Sequence, residues 1–146
     1  MKKFVFRLEP LVRVKKTAEK QQKAALASAQ EVYRDLERRR DEIVNQAARV
    51  NSEFQKELSS GINGLMLMYY GQFFEDSKKA IDRKEQEMVY ANIRVEECRE
   101  ALVQTMRELK TYKKLHDAQY AEYLKEVQAE IDKEIGDLIS YKAAVI

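Results

Sequence analysis

The chain has 146 residues, of which 36% are charged, four are glycine, one is proline and none is tryptophan. This composition is typical of long helices and excludes a globule with many turns. A net charge of +2 is too small for an overall attraction to nucleic acid, and the single cysteine excludes an internal disulfide and favours a reducing compartment.

The amino-terminal sequence Met-Lys-Lys-Phe-Val-Phe-Arg-Leu starts like a signal peptide, but charges at Arg7, Glu9 and Arg13 interrupt it before an apolar core forms. We therefore expect no export by that route. No apolar run approaches the roughly 20 residues that span a bilayer. We expect a chain that is soluble or peripheral at a membrane.

A first helix is predicted over about residues 10–58, with Pro10 tolerated in its first turn because proline lacks only an N–H that would have no partner there. Before it, the alternation of Phe4, Phe6 and Leu8 predicts a short extended lead-in. Between Val14 and Gln22 the apolar pattern is weak. From there spacings of three and four predict a coiled-coil seam, broken only by Arg40. Its residues are Leu26, Ala29, Tyr33, Leu36, Arg40, Ile43, Ala47, Val50 and Phe54.

A turn is predicted over about residues 59–72, where three of the four glycines lie. The pair Asn63-Gly64 tolerates a positive φ, so we expect the chain to reverse there. The apolar run 65–70 has two open interpretations. It folds back as a cap over Phe54, Leu58 and Phe74, or it stays exposed as a docking surface.

A second helix is predicted over about residues 73–141. Its seam keeps the spacing of three and four through the positions Met88, Ala91, Val95, Cys98, Leu102, Thr105, Leu109 and Tyr112. Beyond these the pattern slips by one, as in a coiled-coil stutter. The slipped seam is predicted to run through His116, Tyr120, Leu124, Val127 and Ile131.

Together these elements predict an all-α fold: a two-helix antiparallel coiled-coil hairpin with unequal arms, forming a single elongated domain over residues 1–146. A fold point near Gly64 places residue n opposite about 131 − n, for example Leu36 opposite Val95. Residues from about Tyr123 onward then form an overhang. Residues 1–20 carry seven basic and two acidic side chains, whereas residues 117–137 carry seven acidic and two basic ones. Antiparallel pairing of the arms would place these opposite charges side by side.

Catalytic and ligand-binding chemistry is not indicated, so we expect no enzyme, no cofactor and no metal. The single histidine, His116, falls on the seam and is interpreted as a packed imidazole, and Cys98 as a small core residue. Acidic neighbours cancel the charge of the run Arg38-Arg39-Arg40, which argues against nucleic-acid binding. The basic lead-in could lie on an anionic membrane, but intrachain pairing with the acidic segment is the simpler interpretation.

Three motifs in order resemble the FliJ family of flagellar type III export proteins. They are Met1 to Val14 (Met-Lys-Lys-Phe-Val-Phe-Arg-Leu-Glu-Pro-Leu-Val-Arg-Val), Gly61-Ile62 followed by Tyr69-Tyr70-Gly71-Gln72-Phe73 and Lys79-Ala80-Ile81, and Glu130-Ile131-Asp132-Lys133-Glu134-Ile135. The resemblance implies a non-enzymatic cytoplasmic protein of flagellum biogenesis, and peripheral association with the inner membrane is a further expectation. It also implies a stalk-like coiled coil similar to the central stalk of rotary ATPases.

The resemblance further implies partners. The open end would bind the ring of the export ATPase FliI through Phe4, Phe6, Leu8, Leu11, Val127, Ile131, Ile135 and Leu138. The export gate protein FlhA would contact Phe73 and Ala80, with Ile43 and Val50 across from them. Export chaperones are further expected partners. The alternative function is a structural adaptor that self-associates through its carboxy-terminal overhang, so a 17.2 kDa monomer favours the stalk and a concentration-dependent dimer favours the adaptor.

Overall fold

The computed structural model describes residues 2–145 and consists of two long helices. Helix α1 spans Glu9–Ser60 with 52 residues, and helix α2 spans Gly64–Val145 with 82 residues. The described residues contain no strand. The predicted all-α helical hairpin with unequal arms is therefore confirmed. Contacts divide the described chain into a terminal unit, formed by residues up to Gln21 and from Leu102 on, and a turn unit, Gln22–Ala101.

Helix α1 begins where the sequence allows proline. The amide of Glu9 donates to the carbonyl of Phe6 at 3.1 Å and the amide of Val12 donates to the carbonyl of Leu8 at 2.9 Å. Pro10 lies in this first turn, where its missing N–H costs no hydrogen bond. The lead-in, residues 2–8, is irregular up to Phe6 and then turns, so it forms neither helix nor strand.

The reversal takes only three residues, 61–63, and the predicted turn over 59–72 is too long. Gly61 has φ of +92°, which ends α1 in a left-handed conformation that glycine adopts without strain. Asn63 then caps α2, because its Oδ1 accepts the amide of Met66 at 2.8 Å and its carbonyl accepts the amide of Leu67 at 3.1 Å. Gly64 is thus the first helical residue, and the positive φ falls at Gly61 rather than at Asn63-Gly64.

In the turn unit the two helices meet along the predicted seam. Ala29, Val95 and Cys98 form a buried cluster, with Leu26 and Tyr33 packed against it. All nine predicted seam residues of α1 are buried or half-buried, Arg40 included, which confirms that interpretation. Toward the turn, the two helices contact each other through aromatic side chains.

The register differs from the prediction. The ring of Phe54 lies 4.8 Å from that of Tyr70 and 5.7 Å from that of Phe74, so residue n is level with about 125 − n rather than 131 − n. Leu36 is therefore level with the region of Met88, not with Val95. The physical reason is the short turn, which moves the fold point from Gly64 to about Ile62.

The terminal unit combines a few buried side chains with an ion pair between its helices. Phe6, Leu102 and Thr105 are buried, and Lys15 pairs with Glu108 at 2.5 Å between Nζ and Oε2. The predicted slipped seam is partly wrong. Tyr120 and Leu124 are 43% and 47% exposed, whereas Tyr123 is half-buried in their place. Helix α1 begins only at Glu9 and does not extend to this level, where α2 packs instead against the irregular lead-in.

Neither helix of the described chain contains a stretch that is both long and apolar enough to cross a membrane. The prediction that the whole chain is one domain stays a prediction.

Candidate docking surfaces

An aromatic cluster holds the lead-in against α2 in the terminal unit. The ring of Phe4 lies 5.4 Å from His116, 5.2 Å from Tyr120 and 5.5 Å from Tyr123. Phe6 lies 5.2 Å from the same imidazole. The hydroxyl of Tyr123 donates to the carbonyl of Lys2 at 2.8 Å, which fixes the start of the described chain. The sequence carried no periodic signal for this cluster, because an irregular segment has no repeat.

The lead-in also brings opposite charges together, as the charge pattern predicts. Basic side chains of the lead-in and acidic side chains of α2 line one groove of about 1060 Å³. They are Lys2, Lys3 and Arg7 on one side and Glu122, Glu126 and Glu130 on the other. The backbone of the lead-in reaches the level of Tyr123, where Lys2 lies, and the groove that its side chains line continues along α2 to Glu130.

The uncovered part of α2, which we call the overhang, consequently begins later than predicted. Val127 and Ile131 are half-buried, whereas Ile135, Leu138 and Ile139 are 52%, 59% and 63% exposed. We define the overhang as residues 132–145. Its apolar side chains continue the spacing of three and four from Ile131, so they present one stripe to solvent.

The eight residues assigned to ring binding divide by exposure. Phe6 is buried, and Phe4, Leu8, Val127 and Ile131 are half-buried, so most of each of these side chains is already covered. The exposed ones are Leu11 at 39%, Ile135 at 52% and Leu138 at 59%. Of the eight, only Ile135 and Leu138 offer more than half of the side chain to a partner without rearrangement.

The four residues assigned to gate binding lie in the turn unit. The register places Ile43 level with Ala80 and Val50 level with Phe73, on both helices as the resemblance implied. All four are half-buried. Their partial burial shows that they contribute to packing between the helices as well as to the surface.

The apolar run after the turn proves to be mostly exposed. Leu65, Met68 and Tyr69 are 62%, 73% and 64% exposed. Tyr70 alone behaves as a cap, because its ring packs on Phe54. Desolvation there and a hydrogen bond with Glu57 raise the pKa of the Tyr70 hydroxyl above its ordinary value of 10.0.

The residues considered for chemistry have structural surroundings. Cys98 is buried in the seam, and the imidazole of His116 packs between aromatic rings with Nδ1 3.2 Å from Oδ1 of Asp117. Each arginine of the run 38–40 pairs with a carboxylate of α1. Within residues 2–145 no group of three or more potential ligands is placed to hold a metal ion.

Sequence reasoning missed the pair Lys15–Glu108. A hydrogen bond from Lys15 and one from Gln104 lower the pKa of Glu108 below its ordinary value of 4.5, and the same pair raises the pKa of Lys15 above 10.5. The sequence predicted only that Lys15 lies in the weak part of the apolar pattern, between Val14 and Gln22. The signal that could have found the pair is the corrected register, which brings the two residues level.

These features define a coiled-coil scaffold protein whose exposed apolar surfaces lie at the overhang and beside the turn. The Flagellar FliJ protein family matches residues 3–135. The chain therefore belongs to the FliJ family and is a component of the flagellar export apparatus. No curated protein and no solved structure matches it.

Proposed function

We propose that the protein is a non-enzymatic stalk of the export apparatus that binds the ring of the export ATPase through its terminal unit and promotes ring assembly and ATP hydrolysis. One observation carries the proposal. Helix α2 continues past the residues that the lead-in covers, and Ile135 and Leu138 remain more than half exposed there. An apolar stripe on a single helix is stabilised by a partner that surrounds it.

The dimensions and charges of the overhang suit a ring. A helix with its side chains is about 10–12 Å across, which a pore between subunits can accommodate. Asp132, Glu134 and Asp137 lie beside the stripe. Their charge favours a pore with a basic rim, where it would contribute orientation and association rate more than affinity.

The second part of the proposal concerns the export gate. Phe73 and Ala80, with Ile43 and Val50 level with them, form a two-helix surface in the turn unit that is separate in sequence from the overhang. Binding of the gate protein there would link it to the ATPase through one scaffold. A cytoplasmic location, peripheral association with the inner membrane, contact with export chaperones and a role in chemotaxis follow from the family resemblance and belong to the same proposal.

The test for ring binding replaces two exposed residues of the stripe, Ile135→Asp together with Leu138→Asp. These positions are preferable to Ile131, whose side chain is half-buried. The matched control is Val89→Asp together with Ile93→Asp, two residues of α2 in the turn unit that are 60% and 49% exposed. Both variants add two carboxylates one turn apart to the same helix.

We expect both variants to keep the helicity and melting temperature of the native protein, because all four side chains are exposed. The stripe variant should lose binding to the purified export ATPase and stimulation of ATP hydrolysis, whereas the control should keep both. Stimulation by the stripe variant at the native level would show that the overhang is not the coupling surface. Gate binding is tested separately with Ala80→Glu in a pull-down with the gate protein, which should fail while ATPase stimulation persists.

A further inference from the structure

A second groove of the terminal unit combines an apolar floor with basic edges. It has a volume of about 750 Å³ and lies beside the contact between the start of α1 and residues 109–117 of α2. Phe6, Val12 and Leu109 are among its apolar lining, and Glu9, Glu19 and Asp117 also line it. The basic edges consist of Lys16, Lys20, Lys110 and Lys113. We call it the basic groove.

The groove lies in a basic part of the molecule. Residues 9–20 and 104–117, which include its acidic lining residues, together contain eight cations and four acidic residues, a net charge of +4. Lys15 is neutralised by Glu108, but within residues 2–145 the four edge lysines have no ion-pair partner. Like charges on two packed helices repel, so an acidic ligand would relieve a repulsion that the hairpin itself does not neutralise.

We propose that the basic groove binds the overhang of a second copy of this chain. Residues 130–139 of α2 carry four acidic side chains and one lysine, a net charge of −3, and their apolar residues Ile135, Leu138 and Ile139 are more than half exposed. Such a helix can place its stripe on the apolar floor while its carboxylates approach the edge lysines. Charge complementarity and the unpartnered stripe thus identify the same occupant.

The arrangement closes with two-fold symmetry. If α2 of one copy lies antiparallel to α2 of the other with Ile135 beside Leu109, the axis passes near Glu122, and Leu138 then lies beside Met106. Each copy supplies one overhang and one groove, so both stripes are buried and both grooves are neutralised at once. The groove extends about 16 Å from Glu9 to Lys20, which accommodates the two turns of helix that carry the stripe.

This dimer does not depend on ATPase binding, although it uses the same overhang. The two partners would compete for it, so a dimer would hold the stripe covered until a ring replaces the second copy. Failure of either proposal is recognised separately, because the test below contains no ATPase.

The test is sedimentation of the full chain as a function of salt, followed by charge reversal. A groove variant changes the charge of residues 9–20 and 104–117 from +4 to −4, and an overhang variant changes that of residues 130–139 from −3 to +5, each by reversing four charges. The groove variant carries Lys16→Glu, Lys20→Glu, Lys110→Glu and Lys113→Glu. The overhang variant carries Glu130→Lys, Asp132→Lys, Glu134→Lys and Asp137→Lys.

A control variant reverses four exposed cations of the turn unit. It carries Arg34→Glu, Arg49→Glu, Lys56→Glu and Lys78→Glu. Circular dichroism of every variant confirms that the helices are retained before sedimentation is compared.

We expect the native chain to dimerise at about 0.05 M salt, with a dissociation constant that rises at least about tenfold at 0.5 M salt as screening increases. Each interface variant alone should be monomeric, since its groove and overhang have the same sign. An equimolar mixture of the two should form dimers again, because both contacts in the mixed pair then join opposite charges. The control should dimerise like the native chain.

Three results would overturn the proposal. One is a native chain that stays monomeric at low salt and at concentrations up to about 1 mM, which corresponds to a free energy of association weaker than about −4 kcal/mol. The second is a dimer that persists in either folded interface variant, which contact through the exposed run beside the turn would explain. The third is an equimolar mixture of the two folded interface variants that stays monomeric.

Discussion

Truncation of Val95 to alanine measures the energy of the seam directly. Val95 is 5% exposed and belongs to the buried cluster with Ala29 and Cys98. Val95→Ala removes two buried carbon groups, worth about 1.6 kcal/mol at about 0.8 kcal/mol each. The cavity left between the helices adds up to about 1 kcal/mol. The better helix propensity of alanine returns about 0.5 kcal/mol, so the free energy of unfolding should fall by about 1–2 kcal/mol.

The matched control is Val89→Ala on the same helix, where the side chain is 60% exposed. The gain in propensity is the same and the loss of burial is small, so the change should stay within about 0.5 kcal/mol of zero. The difference between the two variants therefore isolates burial in the seam.

The assay is urea unfolding followed by far-ultraviolet circular dichroism. It should be run at high salt and low protein concentration, so that self-association does not add to the measured stability. Equal stabilities for Val95→Ala and Val89→Ala would contradict the assignment of Val95 to a packed interface. A similar loss in both would point instead to an effect on the helix itself.

Three further predictions follow from the register and the charges. In a chain whose native cysteine has been replaced, Leu36→Cys with Met88→Cys should form an intrachain disulfide on oxidation, and purely intermolecular products would contradict the hairpin register. Arg40→Leu should raise the melting temperature, because the guanidinium interrupts an apolar seam and its ion pair is with the exposed neighbour Asp41 on α1. Arg39→Leu, on the exposed face, is its control and should give no rise. Glu108→Gln should lose less stability than the native chain when the pH falls below 4.5, the ordinary carboxyl value, because a lowered pKa in the folded state contributes stability above that pH that protonation removes.

The seam could be predicted because packing between helices requires apolar residues at periodic positions in the sequence. Spacings of three and four identify the buried face without knowledge of the partner, and the face from Leu26 to Phe54 was assigned correctly on that basis. Arg40 shows the limit of the rule. The pattern located it in the seam, but not the direction in which its guanidinium turns.

The turn was harder to predict because glycine content and turn length are different quantities. The glycines at 61, 64 and 71 indicated a long break, yet only Gly61 adopts a positive φ and the other two lie in helix. Asn63 caps the amide of Met66, so α2 begins directly after it at Gly64. A turn that is shorter by about ten residues moves every opposite pair, and that single error produced the wrong partner for Leu36.

The candidate docking surfaces could likewise be predicted only in part. The acidic, apolar-striped segment of α2 was visible in the sequence because it is helical. The aromatic contacts of Phe4 with Tyr120 and Tyr123 were not, since the lead-in is irregular and its reach depends on its backbone conformation. The overhang was consequently predicted to begin at Tyr123, although coverage continues to Ile131.

The corrected register also changes the meaning of the charges. With the longer turn, the basic residues 2–20 would have faced the acidic segment of α2. With the observed turn, only the lead-in reaches that segment, and residues 10–20 lie level with residues 104–116, which are themselves basic. A hairpin with equal signs on both helices at one level is stabilised by added salt, because screening weakens the repulsion. An assembly that joins the basic groove to an acidic overhang is weakened by the same salt. Added salt would therefore stabilise the isolated hairpin and weaken the dimer. The like charges that destabilise a single hairpin would thus determine which surfaces meet when two copies associate.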